Sequence, residues 1–174
     1  MKITLEELNR ASPAQALAML DGLYEHSNWI ATQALRQRPF ASMEELKCAL
    51  IEVLSSAGRE AQLRVVRAHP ELAGKAMVSK ALTAESTGEQ TMAGLTDCSP
   101  AEFERIQQLN ASYNTKFGWP FILAVRGPQG SGLGRARIIE IFTHRLAADP
   151  ETELAECVRN VHRIMELRLN DRFG

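Results

Sequence analysis

Apolar side chains recur three or four residues apart along most of the chain, a spacing that forms a single stripe on a helix. The clearest case lies between Ser99 and Gly118. Its apolar positions are Phe103, Ile106, Leu109 and Tyr113. No segment shows the strict alternation of apolar and polar residues that is typical of a half-buried strand. The pattern predicts an all-α fold, a single-domain bundle of about seven or eight helices.

Capping signals indicate where several of these helices begin. A serine or threonine followed three residues later by a glutamate can form a capping box, and this spacing occurs at Thr4 and at Ser42. A short polar residue before a proline, as in Ser12-Pro13, also favours a helix start. Beyond the N-terminal helices, the predicted helices cover about 43–56, 59–68, Pro100 to the stop at Gly118, 135–147 and 150 to about 171.

Two segments depart from the helical pattern. Residues 121–125, with the sequence FILAV, could form a buried strand, although the preceding Gly118-Trp119-Pro120 favours an irregular or extended start. The glycine-rich stretch 126–135, RGPQGSGLGR, lacks the Gly-Lys-Ser/Thr ending of a P-loop and the preceding parallel strand of a dinucleotide fingerprint. This stretch is therefore predicted to be a flexible connector.

Length and composition limit the classes of function. A chain of 174 residues, 45% hydrophobic and 24% charged, is typical of one globular domain, here residues 1–174. A net charge of −1 argues against binding to nucleic acid, which usually requires a concentrated basic face, and against recruitment to an anionic membrane. Cys48, Cys98 and Cys157 are odd in number and far apart, so neither a disulfide framework nor a zinc site is indicated. Since no signal peptide, bilayer-length apolar run or peroxisomal address is recognisable, we expect a cytoplasmic protein.

His69 stands directly before Pro70, at the end of the predicted 59–68 helix. Proline disfavours the helical conformation of the residue before it, so the His69 side chain is expected to leave the helical path. An imidazole there can cap the last carbonyls of the helix, or it can act as a general acid or base near neutral pH. The local pattern is compatible with either role.

Ser86 and Glu89 repeat the spacing of a capping box, so the simplest interpretation of residues 85–95 is an ordinary helix start at Ser86. A helix start also exposes backbone N–H groups that can receive an anion. The Glu89 carboxylate beside the Gln90 amide would suit a small heterocycle that carries both N–H and C=O groups.

The last predicted helix has an arginine on its apolar stripe. The inward positions are Leu154, Val158, Val161, Met165 and Arg168. Because a buried guanidinium needs an anion or access to water, Arg168 either binds an anionic group or extends to solvent near the helix end. Arg163 lies off the stripe and is expected at the surface. A histidine, a carboxylate and an inward arginine together indicate a site for a small acidic molecule.

Four segments occur in an order that resembles one known family. They are His69-Pro70-Glu71-Leu72, Ser86-x-x-Glu89-Gln90 with Ala93-Gly94-Leu95, Leu109-Asn110-x-x-Tyr113-x-x-Lys116-Phe117-Gly118-x-Pro120-Phe121-Ile122, and Leu167-Arg168-Leu169. Over essentially its whole length the chain resembles the 2-oxo-4-hydroxy-4-carboxy-5-ureidoimidazoline (OHCU) decarboxylases of urate degradation. The resemblance implies an all-helical, cofactor-free decarboxylase that forms (S)-allantoin and is usually a homodimer.

The resemblance also implies roles for individual residues. His69 would be the catalytic acid or base, and Glu89 would be its acidic partner. The residues implied to bind substrate are Pro70, Ser86, Thr87, Gly88, Gln90, Phe121, Ile122, Leu123, Ala124, Val125 and Arg168. Residues 121–125 would contribute backbone N–H and C=O groups, Arg168 would meet an anionic or carbonyl oxygen, and no metal ligand is implied.

Two other functions remain open from the residues alone. One is a non-catalytic helical module for a small ligand or a protein partner, in which His69 and Glu89 would be unrelated helix caps. The other is hydrolysis of a related purine breakdown product, for which Ser86 would be the nucleophile, although nothing indicates a base that activates it. Metal-assisted hydrolysis is disfavoured because the histidines show no H-x-x-x-H or H-x-H spacing.

Overall fold

The computed structural model describes residues 2–74, 82–127 and 132–174. Its α-helices, in chain order, are α1 (Leu5–Arg10), α2 (Pro13–Met19), α3 (Asn28–Ala34), α4 (Met43–Ser56), α5 (Arg59–Ala68), α6 (Ala84–Met92), α7 (Pro100–Phe117), α8 (Arg135–Arg145) and α9 (Pro150–Arg172). Short 3-10 turns follow α3 and α6, at Leu35–Gln37 and Leu95–Asp97. Within the described ranges the only β-type pairing is an isolated bridge between Ile3 and Phe173, so the all-α prediction is confirmed.

Helix starts follow the capping signals of the sequence. The Thr4 and Ser99 hydroxyls each accept a hydrogen bond from the backbone N–H three residues later, and the capping box closes at both. At Ser42 only half of the predicted box forms, because the Glu45 carboxylate accepts from the N–H of Ala41 instead. These side chains satisfy N–H groups that the first turn of a helix leaves without a backbone partner.

Most predicted helix bounds agree with the structure. Helices α4, α5 and α7 have the predicted limits, and α9 ends one residue later than predicted. Helix α8 ends at Arg145, two residues before the predicted end. Helix α3 was not predicted. Its N-cap, Ser27, makes no side-chain capping hydrogen bond, and the residue three positions later is Ile30 rather than the glutamate or glutamine of a capping box.

The described chain divides into two compact units. The first comprises Met1–Ala68 and His162–Gly174, and the second comprises His69–Val161. Fully buried side chains of the first unit include Leu8, Leu20, Ile30, Leu46, Leu50, Leu54, Val65 and Met165. Its chain ends are joined by hydrogen bonds from Ile3 N to Arg172 O (2.8 Å) and from Gly174 N to Ile3 O (3.2 Å). The single domain over residues 1–174 stays a prediction.

In the second unit an aromatic cluster positions residues 121–125. Phe121 stacks on Phe142 of α8 with ring centroids 3.8 Å apart, and it meets Tyr113 of α7 edge-on at 5.4 Å. The Arg145 guanidinium lies over the Phe121 ring, 4.4 Å from its centroid. Residues 121–125 are therefore held as an irregular buried connector rather than as a strand, as Gly118-Trp119-Pro120 indicated.

A buried ion pair reinforces this connector. The Glu153 carboxylate accepts hydrogen bonds from Arg145 Nη2 and from the Tyr113 hydroxyl, both at 2.5 Å to Oε1. Arg145 Nη1 also donates to the Ile122 carbonyl at 2.6 Å. Burial raises the pKa of Tyr113 well above its ordinary value, so this hydroxyl remains a donor to the carboxylate.

The predicted glycine-rich connector falls partly outside the described residues. Its described ends are joined by hydrogen bonds from Gly132 N to Arg126 O (2.8 Å) and from Leu133 N to Val125 O (2.6 Å). Gly132 has a φ of +97°, and a Cβ at this position would lie 2.6 Å from the Met92 carbonyl oxygen. Glycine is required here by conformation and by space.

Candidate active site

The segment that follows His69 forms a tight, buried turn. Helix α5 ends at Ala68, and the next residue, His69, is only 7% exposed. Ala73 has a φ of +47°, in the left-handed region that residues with a Cβ rarely adopt. A Cβ on the next residue, Gly74, would lie 2.7 Å from the Cβ of Glu71. The backbone therefore turns tightly over residues 71–74, and a residue larger than glycine would not fit at position 74.

Gln90 of α6 joins this turn to the second predicted motif. Its carboxamide oxygen accepts from the Ala73 N–H at 2.9 Å, and its Nε2 donates to the Glu71 carbonyl at 3.4 Å. Gln90 is 3% exposed, so these bonds form away from bulk water. The helix that carries Glu89 is thus attached directly to the turn after His69.

Helix α7 holds the same turn through three further carboxamides. The contacts are Gln107 Nε2 to Ala73 O at 2.7 Å, Asn110 Nδ2 to Leu72 O at 2.9 Å, and Asn114 Nδ2 to the Glu71 carboxylate at 2.5 Å. These residues were not predicted as functional, because their partners lie 34 to 43 positions away in the sequence. Their spacing on α7 is the signal that would have pointed to a shared face.

Helix α6 begins earlier than its apparent capping box predicts. Its N-cap is Thr83, whose hydroxyl accepts from the Ser86 N–H at 3.3 Å. Ser86 and Glu89 therefore lie inside the helix, and the predicted start at Ser86 is wrong. Thr83 meets the same requirement three residues earlier, with an extended backbone that directs its hydroxyl at the first turn.

The predicted substrate residues on α6 differ in exposure. Ser86 and Gln90, one turn apart, are buried, whereas Thr87 and Gly88 are exposed and Glu89 is half-buried. A Cβ added to Gly88 would have no neighbouring atom within 4 Å. Among the residues that the structure describes, none crowds the exposed backbone of Gly88.

Several backbone groups of residues 121–125 have partners within the protein. The pairs are Ile122 O with Arg145 Nη1 (2.6 Å), Ala124 N with Asn160 Oδ1 (3.0 Å), Ala124 O with Gly127 N (2.9 Å), and Val125 O with Leu133 N (2.6 Å). The contribution of residues 121–125 to substrate binding stays a prediction. Its buried side chains are Phe121, Ile122, Ala124 and Val125, with Leu123 half-buried.

Arg168 lies on the inward stripe of α9, as predicted. It is 4% exposed, so the alternative in which its side chain extends to solvent is wrong. Its Nη1 lies 3.0 Å from the Glu25 carboxylate and 2.9 Å from the Gly22 carbonyl, both in the turns between α2 and α3. A single glutamate in a non-helical segment carries no periodic signal, which is why the sequence did not point to Glu25. Arg163 is exposed, as expected.

The two units divide the predicted site residues between them. His69, Glu89 and residues 121–125 belong to the second unit, and Arg168 belongs to the first. The structure brings the turn after His69 together with the Glu89 helix through Gln90.

Neither a metal-ligand cluster nor a bilayer span occurs in the ranges 2–74, 82–127 and 132–174. Those residues contain no group of three or more histidines, cysteines, aspartates and glutamates that could hold a metal ion. None of their helices combines the length and the apolarity needed to cross a membrane.

Comparison with known proteins gives a consistent match along the chain. The family model for OHCU decarboxylase matches residues 9–170. The 2-oxo-4-hydroxy-4-carboxy-5-ureidoimidazoline decarboxylase of Haloferax volcanii is 34% identical over 173 residues, which are 99% of this chain and 98% of that protein. The protein of the same name from Mus musculus is also 34% identical, over 97% of this chain and 92% of its own length. The Uric acid degradation bifunctional protein PucL of Bacillus subtilis is 33% identical, and the chain covers 32% of it.

Solved structures share the fold. A crystal structure of (S)-allantoin synthase superimposes with a TM-score of 0.74 at 24% identity, covering 98% of this chain and 54% of that one. A crystal structure of OHCU decarboxylase in the presence of (S)-allantoin gives a TM-score of 0.66 at 21% identity, covering 85% of this chain and 92% of that one. The sequence match extends over nearly the whole chain. The chain belongs to the OHCU decarboxylase family.

Proposed function

We propose that this chain is a carboxy-lyase that decarboxylates 2-oxo-4-hydroxy-4-carboxy-5-ureidoimidazoline to (S)-allantoin, with His69 and Glu89 as its proton-transfer pair. The observation that carries the activity is the family match over residues 9–170, together with relatives about one third identical over nearly their full length. The pair itself rests on the resemblance of the HPEL and S-x-x-E-Q motifs.

The geometry of the second unit supports an active site at these motifs. His69 is buried, and the backbone that follows it is held to the helix of Glu89 through Gln90. A rigid turn next to a buried imidazole favours a single orientation of the proton-transfer group. Thr87 and Gly88, two of the residues implied to bind substrate, are exposed on the same helix.

The reaction can proceed without an added electron sink. The substrate has a hydroxyl and a carboxylate on one ring carbon, next to a C=N bond. When the bond to the carboxylate breaks, its electron pair moves toward the C=N bond, and CO₂ leaves. The ring nitrogen of the former C=N bond receives the displaced electron pair and takes up one proton from solvent. The hydroxyl then loses its proton to become the carbonyl of allantoin, and the ureido-bearing carbon gains a proton, so the overall reaction consumes one proton and releases CO₂. Delivery of that proton to one face of the flat intermediate sets the S configuration.

Each residue has a defined task in this scheme. His69 exchanges the proton of the hydroxyl or of the ureido-bearing carbon, and Glu89 orients the imidazole and stabilises its charged form. A site with little water favours the conversion of a carboxylate into neutral CO₂. The role of Arg168 toward an anionic or carbonyl oxygen of the substrate stays a prediction.

A charge-removing variant tests the assignment of Glu89. Glu89→Gln keeps the size and hydrogen-bonding capacity of the side chain but removes its charge, so turnover is expected to fall by about a hundredfold or more. The matched control is Glu104→Gln, an exposed glutamate on α7, which is expected to behave as wild type. Full activity in Glu89→Gln would mean that this carboxylate has no part in proton transfer.

The expected oligomeric state has a simple test. We propose that the protein is a cytoplasmic homodimer that binds the ureidoimidazoline as its substrate. Light scattering during size-exclusion chromatography is expected to give twice the chain mass of 19.3 kDa. A mass equal to that of one chain would contradict the homodimer.

A further inference from the structure

We propose that Gln107, Asn110 and Asn114 of α7 are positioning residues that hold the turn after His69 and thereby orient its imidazole for proton transfer. This inference rests on the proposed function, because it assigns these residues a role in the same reaction. None of them is proposed to touch the substrate.

The first step of the argument is the hydrogen-bonding demand of the turn. Leu72 and Ala73 are buried, and irregular backbone cannot satisfy its own carbonyls as a helix does. Asn110 donates to the Leu72 carbonyl and Gln107 donates to the Ala73 carbonyl, so two consecutive peptide groups are bound by α7. A buried carbonyl that loses its donor is costly, so these contacts determine where the turn lies.

The second step is the conformation of Ala73. A left-handed conformation is unfavourable for a residue with a Cβ, so the turn would not keep this geometry without outside contacts. Gln90 accepts the N–H of Ala73 and Gln107 donates to its C=O, so hydrogen bonds restrain the residue on both sides. The strained residue is thus fixed between α6 and α7.

The third step connects the turn to His69. Only Pro70 separates His69 from Glu71, and the proline ring removes one of the backbone rotations through which His69 could move independently. Asn114 donates to the Glu71 carboxylate at 2.5 Å and so restrains the first residue of the turn, two positions after His69. Displacement of the turn must therefore displace His69.

Helix α7 carries both the residues that bind the turn and a neighbouring residue that can serve as a control. Residues 107, 110 and 114 are three and four positions apart, a spacing that places them on one face of the helix. Gln108 is the immediate neighbour of Gln107 but is exposed. Two adjacent glutamines therefore differ in whether they bind the turn.

The test compares Gln107→Met with Gln108→Met in the full-length protein. Circular dichroism first confirms that each variant is folded at the assay temperature, and Gln107→Glu, which keeps the size but replaces the donor amide, serves as a second variant. Steady-state formation of (S)-allantoin then gives kcat and KM, and proton NMR follows the His69 ring signal, assigned by its loss in His69→Ala. The NMR comparison needs no turnover.

The expected result is a fall in kcat of about tenfold to a hundredfold in Gln107→Met with KM little changed, and a shifted or broadened His69 signal. Gln108→Met is expected to match wild type in both. Wild-type kcat in folded Gln107→Met, or a lowered kcat with an unaltered His69 signal, would overturn the positioning role. An inactive wild-type protein would instead overturn the proposed function, and the His69 signal would still decide whether α7 orients the ring.

Discussion

The buried ion pair between Glu25 and Arg168 allows the structural role of this arginine to be separated from a role in catalysis. Both residues are nearly inaccessible, and Arg168 Nη1 lies 3.0 Å from the Glu25 carboxylate. Arg168→Met removes the cation and leaves the carboxylate buried beside an apolar side chain. Removing one partner of such a pair typically costs about 3–5 kcal/mol. For a chain of this size the expected fall in Tm is roughly 6–20 °C.

A double variant completes the test. Glu25→Met/Arg168→Met removes both charges and fills similar volume, so its free energy of unfolding is expected to return to within about 2 kcal/mol of wild type. Urea or thermal unfolding followed by circular dichroism measures both changes. The control is Arg163→Met, because Arg163 is exposed and lies 3.7 Å from Glu166, a contact that contributes less than about 1 kcal/mol.

The two readouts have distinct meanings. A Tm of Arg168→Met within a degree or two of wild type would refute the electrostatic reasoning. Activity of the folded double variant then addresses the substrate. A direct charged hydrogen bond to the substrate is worth about 1.5–3 kcal/mol, so its loss lowers kcat/KM by at least about tenfold. Wild-type kcat/KM in the double variant would exclude Arg168 from substrate binding and leave it a purely structural residue.

Three further predictions address the helices and the proposed pocket. Gly88→Ala replaces a helix-interior glycine at which the structure describes no atom near the new Cβ, so the free energy of unfolding is expected to rise by about 0.5–1 kcal/mol. A higher KM in this variant would place Gly88 beside the substrate, and an unchanged KM would exclude it from the substrate site. Burial lowers the pKa of His162, whose ring contacts Tyr24 and Ser55. The unfolded chain therefore binds more protons than the folded one, so the free energy of unfolding should fall as the pH drops below the ordinary histidine pKa. His162→Gln should reduce that fall when thermal unfolding is measured over a range of pH. Ser99→Ala removes the N-cap of α7 and should cost about 1 kcal/mol in denaturant unfolding, whereas Ser56→Ala, exposed at the end of α4, should cost less than half of that.

Helical structure was predictable where local signals were strong. Thr4, Ser12 and Ser99 each satisfy the N–H groups of the turn that follows, so the sequence alone located those helix starts. The start of α6 was misplaced because Thr83 and Ser86 offer equivalent hydroxyls three residues apart. Local spacing cannot rank two competing caps; the path of the preceding chain decides between them.

The motifs of the candidate site could be read from the sequence, whereas the contacts that support them could not. His69, Glu89 and Arg168 stood out because of a proline, a charge beside an amide, and a polar residue on an apolar stripe. Glu25 and Gln107 did not, since each acts through a partner more than thirty positions away in the sequence. Long-range polar contacts depend on tertiary structure, and no periodicity along the chain records them.

The most direct test of the proposed function generates the unstable substrate in situ, from urate with urate oxidase and hydroxyisourate hydrolase, and follows optically active allantoin by circular dichroism. Wild-type protein and His144→Ala, whose histidine is exposed on α8, are expected to give a rapid dichroic signal, and folded His69→Ala is expected to give none above background. A slow, racemic background with folded wild-type protein would contradict the decarboxylase and favour a non-catalytic binding module. A rapid signal that persisted in His69→Ala would retain the reaction but remove His69 from its centre.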